Sequence, residues 1–216
     1  MDFNLTREQQ MLSDVVQSFV AKEYTFQTRR GILESSDGWS RKVWSKLAEM
    51  GLLGLQVPEE YGGMGSASIE MLLTMTALGR GLLLEPYLQS AVLATALIRD
   101  LGSRGQKETL LPSLAAGERI AVPAHAERGS RYDLSRVATS AVRTGVGFTL
   151  NGRKTVVLHA AAADVLLVSA RTAGKPDAEA GISLFTVERT AAGVSLQSYP
   201  TLDGQRGADV TLRDVQ

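Results

Sequence analysis

The chain contains no cysteine, only two histidines, and aromatic residues at 6% of its 216 positions. Without cysteine there can be no disulfide, thiolate nucleophile or iron–sulfur ligation, so redox chemistry here requires a bound organic cofactor. The two histidines, His125 and His159, have no carboxylate at ligand spacing, and no metal centre is expected. An excess of either charge is lacking too, with 23 basic residues against 23 acidic. Dividing the chain after Glu118 leaves a net charge of −3 before and +3 after. That is far from the basic footprint of a nucleic-acid binder, but it leaves the second half mildly suited to an anionic group such as pyrophosphate. No apolar run approaches the roughly 18 residues that a membrane span needs. The opening MDFNLTREQQ has neither the basic nor the apolar region of a signal peptide, and a cytoplasmic protein is expected. There is no G-x-S-x-G, Walker loop or G-x-G-x-x-G, which disfavours the enzyme classes built on those turns.

What is present is hydrophobic content of 44%, enough for one large core or two small ones. Thr6 and Gln9 form a capping-box pattern, and Met11, Leu12, Val15, Val16, Phe19 and Val20 follow at helical spacing to about Glu23. Trp39 and Ser40 precede a short helix ending at Gly51. Ser68 to Arg80 is apolar nearly all round, as expected of a helix buried inside a bundle. A further helix is predicted from near Pro86 to Gly102, and Ser103 with Gln106 caps another that stops before Gly117. From Arg119 the period shifts toward two. Asn151-Gly152 is a strong hairpin signal, and strands are predicted at Val156–His159, Val165–Ala170, Ile182–Val187, Val194–Tyr199 and Ala208–Val215. Gly174 to Gly181 reads as an exposed hairpin loop. The expectation is an all-α bundle over residues 1–118 followed by an antiparallel β-barrel over residues 119–216.

The most demanding string is GLLGLQVPEEYGGMG, Gly51 to Gly65: Pro58 stops a helix, Glu59 and Glu60 supply carboxylates, and Gly62, Gly63 and Gly65 allow tight turning or close approach. On composition alone it is a turn-rich connector. Its Pro-Glu-Glu-Tyr-Gly-Gly core resembles the signature loop in the N-terminal helical domain of acyl-CoA dehydrogenases, flavoenzymes that desaturate acyl-CoA thioesters. LNGRKTVVLHAAAADVLLVSART, Leu150 to Thr172, resembles that family's central β-domain, and its wording is similar to the pimeloyl-CoA dehydrogenase small-subunit branch. In the family a third helical domain follows and normally supplies the catalytic base, and nothing in this sequence corresponds to it. The resemblance therefore implies an FAD-dependent acyl-CoA dehydrogenase with no catalytic residue of its own in these residues, inactive as the chain stands. The alternative is a non-catalytic acyl-CoA-binding or scaffold subunit that pairs with a complete dehydrogenase. Implied partners are an acyl-CoA substrate, an electron-transfer flavoprotein or similar acceptor, and further subunits in a homo- or hetero-oligomer.

The resemblance also implies the cofactor site. AHAERGSRYD, Ala124 to Asp133, stands where the family's Thr-Glu-Pro-Gly-x-Gly-Ser-Asp loop cradles flavin; Glu127, Gly129 and Ser130 match, but the proline is missing. His125 and Ala126 would then present main-chain groups to the flavin ring. Ser130 would bond near the pyrophosphate or the thioester, with Arg131 on the substrate side. Val156, Val157 and Leu158 stand on the flavin-facing strand, and Val156 and Leu158 replace the family's tryptophan and hydroxyl residue, so a stacking surface and a side-chain donor are both lost. Arg128, Arg131 and Arg136 around the loop could hold a phosphate or be solvated surface residues.

Overall fold

Thr6 accepts a hydrogen bond from the Gln9 amide and Gln9 reaches back to the Thr6 amide, so the first helix, α1 (Arg7–Lys22), starts where its capping box predicts. The computed structural model describes residues 4–65, 68–145 and 147–216. Two compact units follow from the contacts: one of residues up to Tyr87 together with Thr95–Glu118, the other of Leu88–Ala94 with Arg119–Gln216.

In the first unit α2 (Phe26–Glu34), α3 (Arg41–Glu49), α4 (Ser68–Arg80), α5 (Thr95–Leu101) and α6 (Arg104–Ala115) accompany α1. The core is built on Val16, Phe19, Trp44, Leu47, Leu53 and Leu111, all nearly or fully buried. α2 is absent from the sequence reading because FQTRRGILE offers only one buried residue, Ile32, and so has no apolar stripe. α4 has the predicted bounds but not the predicted all-round burial. Met71, Thr74, Ala77 and Leu78 face inward, while Ile69 and Leu72 are exposed. The helix predicted from Pro86 opens as a π-helical stretch, Tyr87–Ala94, before α5.

The Gly51–Gly65 loop folds back on itself through two short 3-10 turns, Leu52–Gly54 and Glu59–Tyr61. Gly51 takes the left-handed conformation at φ 73° as the helix-ending glycine. Gly63 serves a different need, since a Cβ there would overlap the Val57 carbonyl. The amides of Gly63 and Gly65 close the loop onto Pro58 O at 3.2 Å and Val57 O at 2.9 Å.

The second unit is a seven-stranded sheet of β1 (Ala121–Ala124), β2 (Ser140–Thr144), β3 (Gly147–Leu158), β4 (Val165–Arg171), β5 (Ile182–Glu188), β6 (Val194–Pro200) and β7 (Arg206–Val215). The path runs β1-β4-β2-β3-β7-β6, with β5 on the other side of β4. The sheet is mixed rather than antiparallel. β1 pairs with β4 in parallel, Ala121 opposite Val165 through Ala124 opposite Val168, and Ser140 of β2 meets Arg171 of β4 in parallel. β1 is only four residues long and contains Pro123, so it shows no alternation in sequence. Among the described residues β1, β5 and β6 each pair on one side only, so the expected barrel is not closed. β4, buried along its whole length, forms its spine.

Asn151-Gly152 is not a hairpin turn. Both residues lie within β3, where Ala141 of β2 faces Leu150 and Ser140 faces Asn151. Gly152 is there because a Cβ would come within 2.7 Å of the Thr139 Cα, and Asn151 pairs with Asp214 of β7 through two hydrogen bonds of 2.9 and 3.0 Å. The loop between Arg171 and Ile182 is the predicted exposed hairpin connection.

Candidate functional site

The two stretches singled out in the second half of the sequence meet in the structure. β3 and β7 pair Lys154 with Val210 and Val157 with Ala208, leaving two residues on β3 opposite one on β7. This bulge turns Val156 outward at φ 53° with 57% of its surface exposed. A β-branched residue in the left-handed region is a real backbone outlier, costing on the order of 1–3 kcal/mol, and such strain concentrates at functional sites. Val157 is buried and offers ligands only its main chain, while Leu158 is half-buried.

The loop after β1 is pinned onto this bulge. The Thr155 amide donates to Ala126 O at 2.8 Å. Lys154, fully buried, uses its ammonium three times: to Glu127 Oε1 at 2.7 Å, to Ser169 Oγ at 3.0 Å and to His125 O at 3.2 Å. Glu127 accepts in addition from the amides of Ala138 at 2.7 Å and Thr139 at 3.0 Å. Burial by itself would raise the Glu127 pKa, but these bonds from Lys154, Thr139 and the main chain hold it below the usual carboxylate range. Burial also draws the Lys154 pKa down, with Glu127 opposing that shift. His125 Nδ1 lies 2.9 Å from Ser169 Oγ, and burial followed by the Lys154 charge lowers its pKa, favouring the neutral imidazole.

Ser130, expected at the ligand, is engaged within its own loop in this structure. It is 7% exposed and its hydroxyl closes the loop, donating to Glu127 O at 2.8 Å and accepting from the Glu127 amide at 3.2 Å. Arg131 is exposed at φ 49°, and Arg128 and Arg136 are exposed as well. His125 and His159 are not partners: His125 bonds Ser169, whereas buried His159 bonds Gln205 Oε1 at 3.2 Å through Nε2. Among the described residues no cluster of potential metal ligands forms, and no helix is long and apolar enough to cross a membrane.

Sequence reasoning passed over Lys154, Ser169 and Arg171. Lys154 reads as a solvated charge in NGRKTVV. Its inward position follows from alternation with exposed Arg153 on the same strand, a signal available in the sequence once β3 is extended back through Asn151. Arg171 is buried at the end of β4 and donates to the carbonyls of Ser135, Val137, Pro176, Ala178 and Ala180, fastening the segment before β2 to the loop after β4.

Residues 6–118 match the model of the acyl-CoA dehydrogenase N-terminal domain, and residues 123–215 match that of the acyl-CoA dehydrogenase middle domain. The chain is 30% identical to benzylmalonyl-CoA dehydrogenase of Aromatoleum aromaticum over 91% of this chain and 51% of that protein. It superimposes on the ChsE4-ChsE5 complex of Mycobacterium tuberculosis with a TM-score of 0.87 at 29% identity, covering 100% of this chain and 56% of that one. For the acyl-CoA dehydrogenase of Bacillus anthracis complexed with FAD the TM-score is 0.82 at 27% identity, covering 98% and 37%. The chain spans about half the length of the curated relatives it matches. With both units matched along nearly their whole extent, the chain belongs to the acyl-CoA dehydrogenase family.

Proposed function

We propose that these residues are the helical and middle domains, 1–118 and 119–216, of an FAD-dependent acyl-CoA dehydrogenase, with the flavin held at the Val156 bulge and the His125–Ser130 loop. The observation that supports this reading is the strained, outward-facing Val156 beside a loop fixed by a buried ion pair. The residues present fit a flavin through main chain and apolar surface. Val156 offers an exposed aliphatic platform in place of a stacking ring, and the main chain of His125, Ala126, Val157 and Leu158 borders it. They do not fit through hydroxyls, because Leu158 has none and that of Ser130 is committed within its loop. Arg131, exposed in the loop as Arg128 is, would meet a substrate phosphate.

Bound FAD would supply the capacity to accept a hydride. The chain's own part is to orient and to exclude water. Lys154 and Glu127 hold the loop, Val156 presents its surface, and neutral His125 adds no charge beside the ring. Glu127 does not serve as the base, since its carboxylate already accepts three hydrogen bonds and stays ionised within its ion pair. The 216 residues alone therefore bind without turnover, and electrons pass to an electron-transfer flavoprotein or similar acceptor only in the complete assembly.

The second reading, a non-catalytic acyl-CoA-binding subunit paired with a complete dehydrogenase, is favoured by the missing hydroxyl at Leu158 and the committed one at Ser130. The test mixes the purified chain with FAD, an acyl-CoA series and an artificial electron acceptor. Perturbation of the flavin spectrum by acyl-CoA without turnover is expected. Acyl-CoA binding with no flavin binding favours the second reading, and steady turnover contradicts the assignment of the base outside these residues.

A further inference from the structure

The Lys154–Glu127 pair is more than a buried charge pair within one strand. Lys154 lies in β3 just before the bulge, Glu127 in the loop after β1, and the pair joins these elements across 27 residues. Each end is saturated. The ammonium has three oxygen partners, one of them the His125 carbonyl, and the carboxylate takes two main-chain amides from Ala138 and Thr139 besides the lysine. The side chain of Glu127 is 8% exposed and that of Lys154 0%. A core position of this kind filled by well-packed apolar residues is often as stable or more so, because desolvating two charges costs about as much as their attraction returns. The charges are therefore poorly accounted for by stability. What an apolar pair could not do is hold the His125 carbonyl and the Ala138 and Thr139 amides in fixed places around the loop.

We propose that Lys154 and Glu127 are positioning residues for the flavin, the ion pair setting the main chain of His125 and Ala126 against the Val156 bulge. The inference rests on the flavin reading above. Neither side chain need touch the cofactor: both are buried, and they act through the carbonyl of His125 and through the bond from the Thr155 amide to Ala126 O. Loop and bulge then move as one body, so a shift in the pair displaces both surfaces that a flavin would meet.

The experiment titrates FAD into the 216-residue chain by quenching of flavin fluorescence, alongside thermal melting and amide hydrogen exchange of residues 125–130. Two variants are compared with wild type. In Lys154→Met/Glu127→Gln both charges are removed together, so no uncompensated charge is buried, and melting is expected within about 5 °C of wild type. In Glu127→Asp the charge stays but the reach shortens by one methylene. Both are expected to weaken FAD binding at least tenfold and to speed exchange across 125–130, with the β6–β7 ladder unchanged. The inference is overturned if either variant melts like wild type and binds FAD with unchanged affinity, because the pair is then structural only. If wild type itself binds no FAD, the flavin reading fails and takes this inference with it. Normal flavin binding by wild type and by the variants removes the inference alone.

Discussion

The indole Nε1 of Trp44 donates to the carbonyl of Gly117 at 3.2 Å, joining α3 to the turn that ends α6 across 73 residues. Trp44 is fully buried, and Gly117 sits at φ 71° with room for no side chain, since a Cβ would lie 2.9 Å from that of Ala48. Gly117→Ala combines left-handed strain with this overlap and is expected to cost about 2–3 kcal/mol. Trp44→Phe leaves the carbonyl unpaired and a small cavity behind, at about 2 kcal/mol. Chemical denaturation reads both. Because the residues share one contact, the double variant is expected to cost less than the sum.

The glycines of the Gly51–Gly65 loop separate into two kinds that substitution distinguishes. Gly62 has φ 82° and open space around it, so Gly62→Ala costs only the left-handed penalty of about 1–2 kcal/mol. Gly63→Ala would force a methyl into the Val57 main chain and must break the bonds from Gly63 and Gly65 that close the loop. A larger loss is expected there, with melting temperatures of the two variants as the measurement.

Two buried groups give the stability opposite pH slopes. Burial raises the Glu85 carboxyl from 4.5 to about 7. Its folded form binds a proton more tightly than the unfolded chain does, so stability is lost as pH rises from about 4.5 to 7. Burial lowers His159 from 6.5 to about 4, so the unfolded chain binds the proton more tightly and stability is lost as pH falls from 6.5 toward 4. Each shift is worth roughly 3 kcal/mol at most, and in a concerted unfolding they largely cancel. Glu85→Gln is expected to unmask a stability that rises with pH across this window, and His159→Asn, which tolerates the φ of 57° at that position, one that falls. Urea midpoints at pH 4.5 to 7.5 decide this, and parallel profiles for the two variants would refute it.

Arg171 makes five hydrogen bonds to main-chain carbonyls, those of Ser135, Val137, Pro176, Ala178 and Ala180. Arg171→Met strands these carbonyls and is expected to cost about 3 kcal/mol. Proteolysis should then fall in the segment 172–181. Arg171→Lys keeps the charge but loses the planar fork and should restore only a fraction.

Much of the helical unit was legible because its signals are local. Thr6 with Gln9 and Ser103 with Gln106 mark helix starts, Gly51 and Gly117 mark ends, and each does so in the structure. α2 was not legible, because its helix formation depends on a cap by Thr25 and one buried isoleucine rather than a stripe. The sheet was misread where pairing is non-local. β1 is short and carries a proline, so nothing near it in sequence announces a parallel partner more than forty residues away at Val165–Val168. Asn151-Gly152 has the composition of a turn, but its glycine answers to the closeness of Thr139, which only the fold reveals. At the candidate site the sequence marks the His125–Ser130 loop and the Val156–Leu158 strand but not the buried pair that ties them together. The Ser130 hydroxyl also closes its own loop, and Lys154, which holds that loop, belongs to no motif that the sequence displays.

The most direct test of the account is an equilibrium FAD titration of the chain and of Val156→Glu, which places a charged group on the exposed bulge without touching the buried core. The account predicts saturable one-to-one binding by wild type and its loss in Val156→Glu, with the melting temperature little changed. Binding that survives Val156→Glu at full affinity would contradict the placement of the flavin against the bulge, and absence of binding by wild type would contradict the flavin reading as a whole.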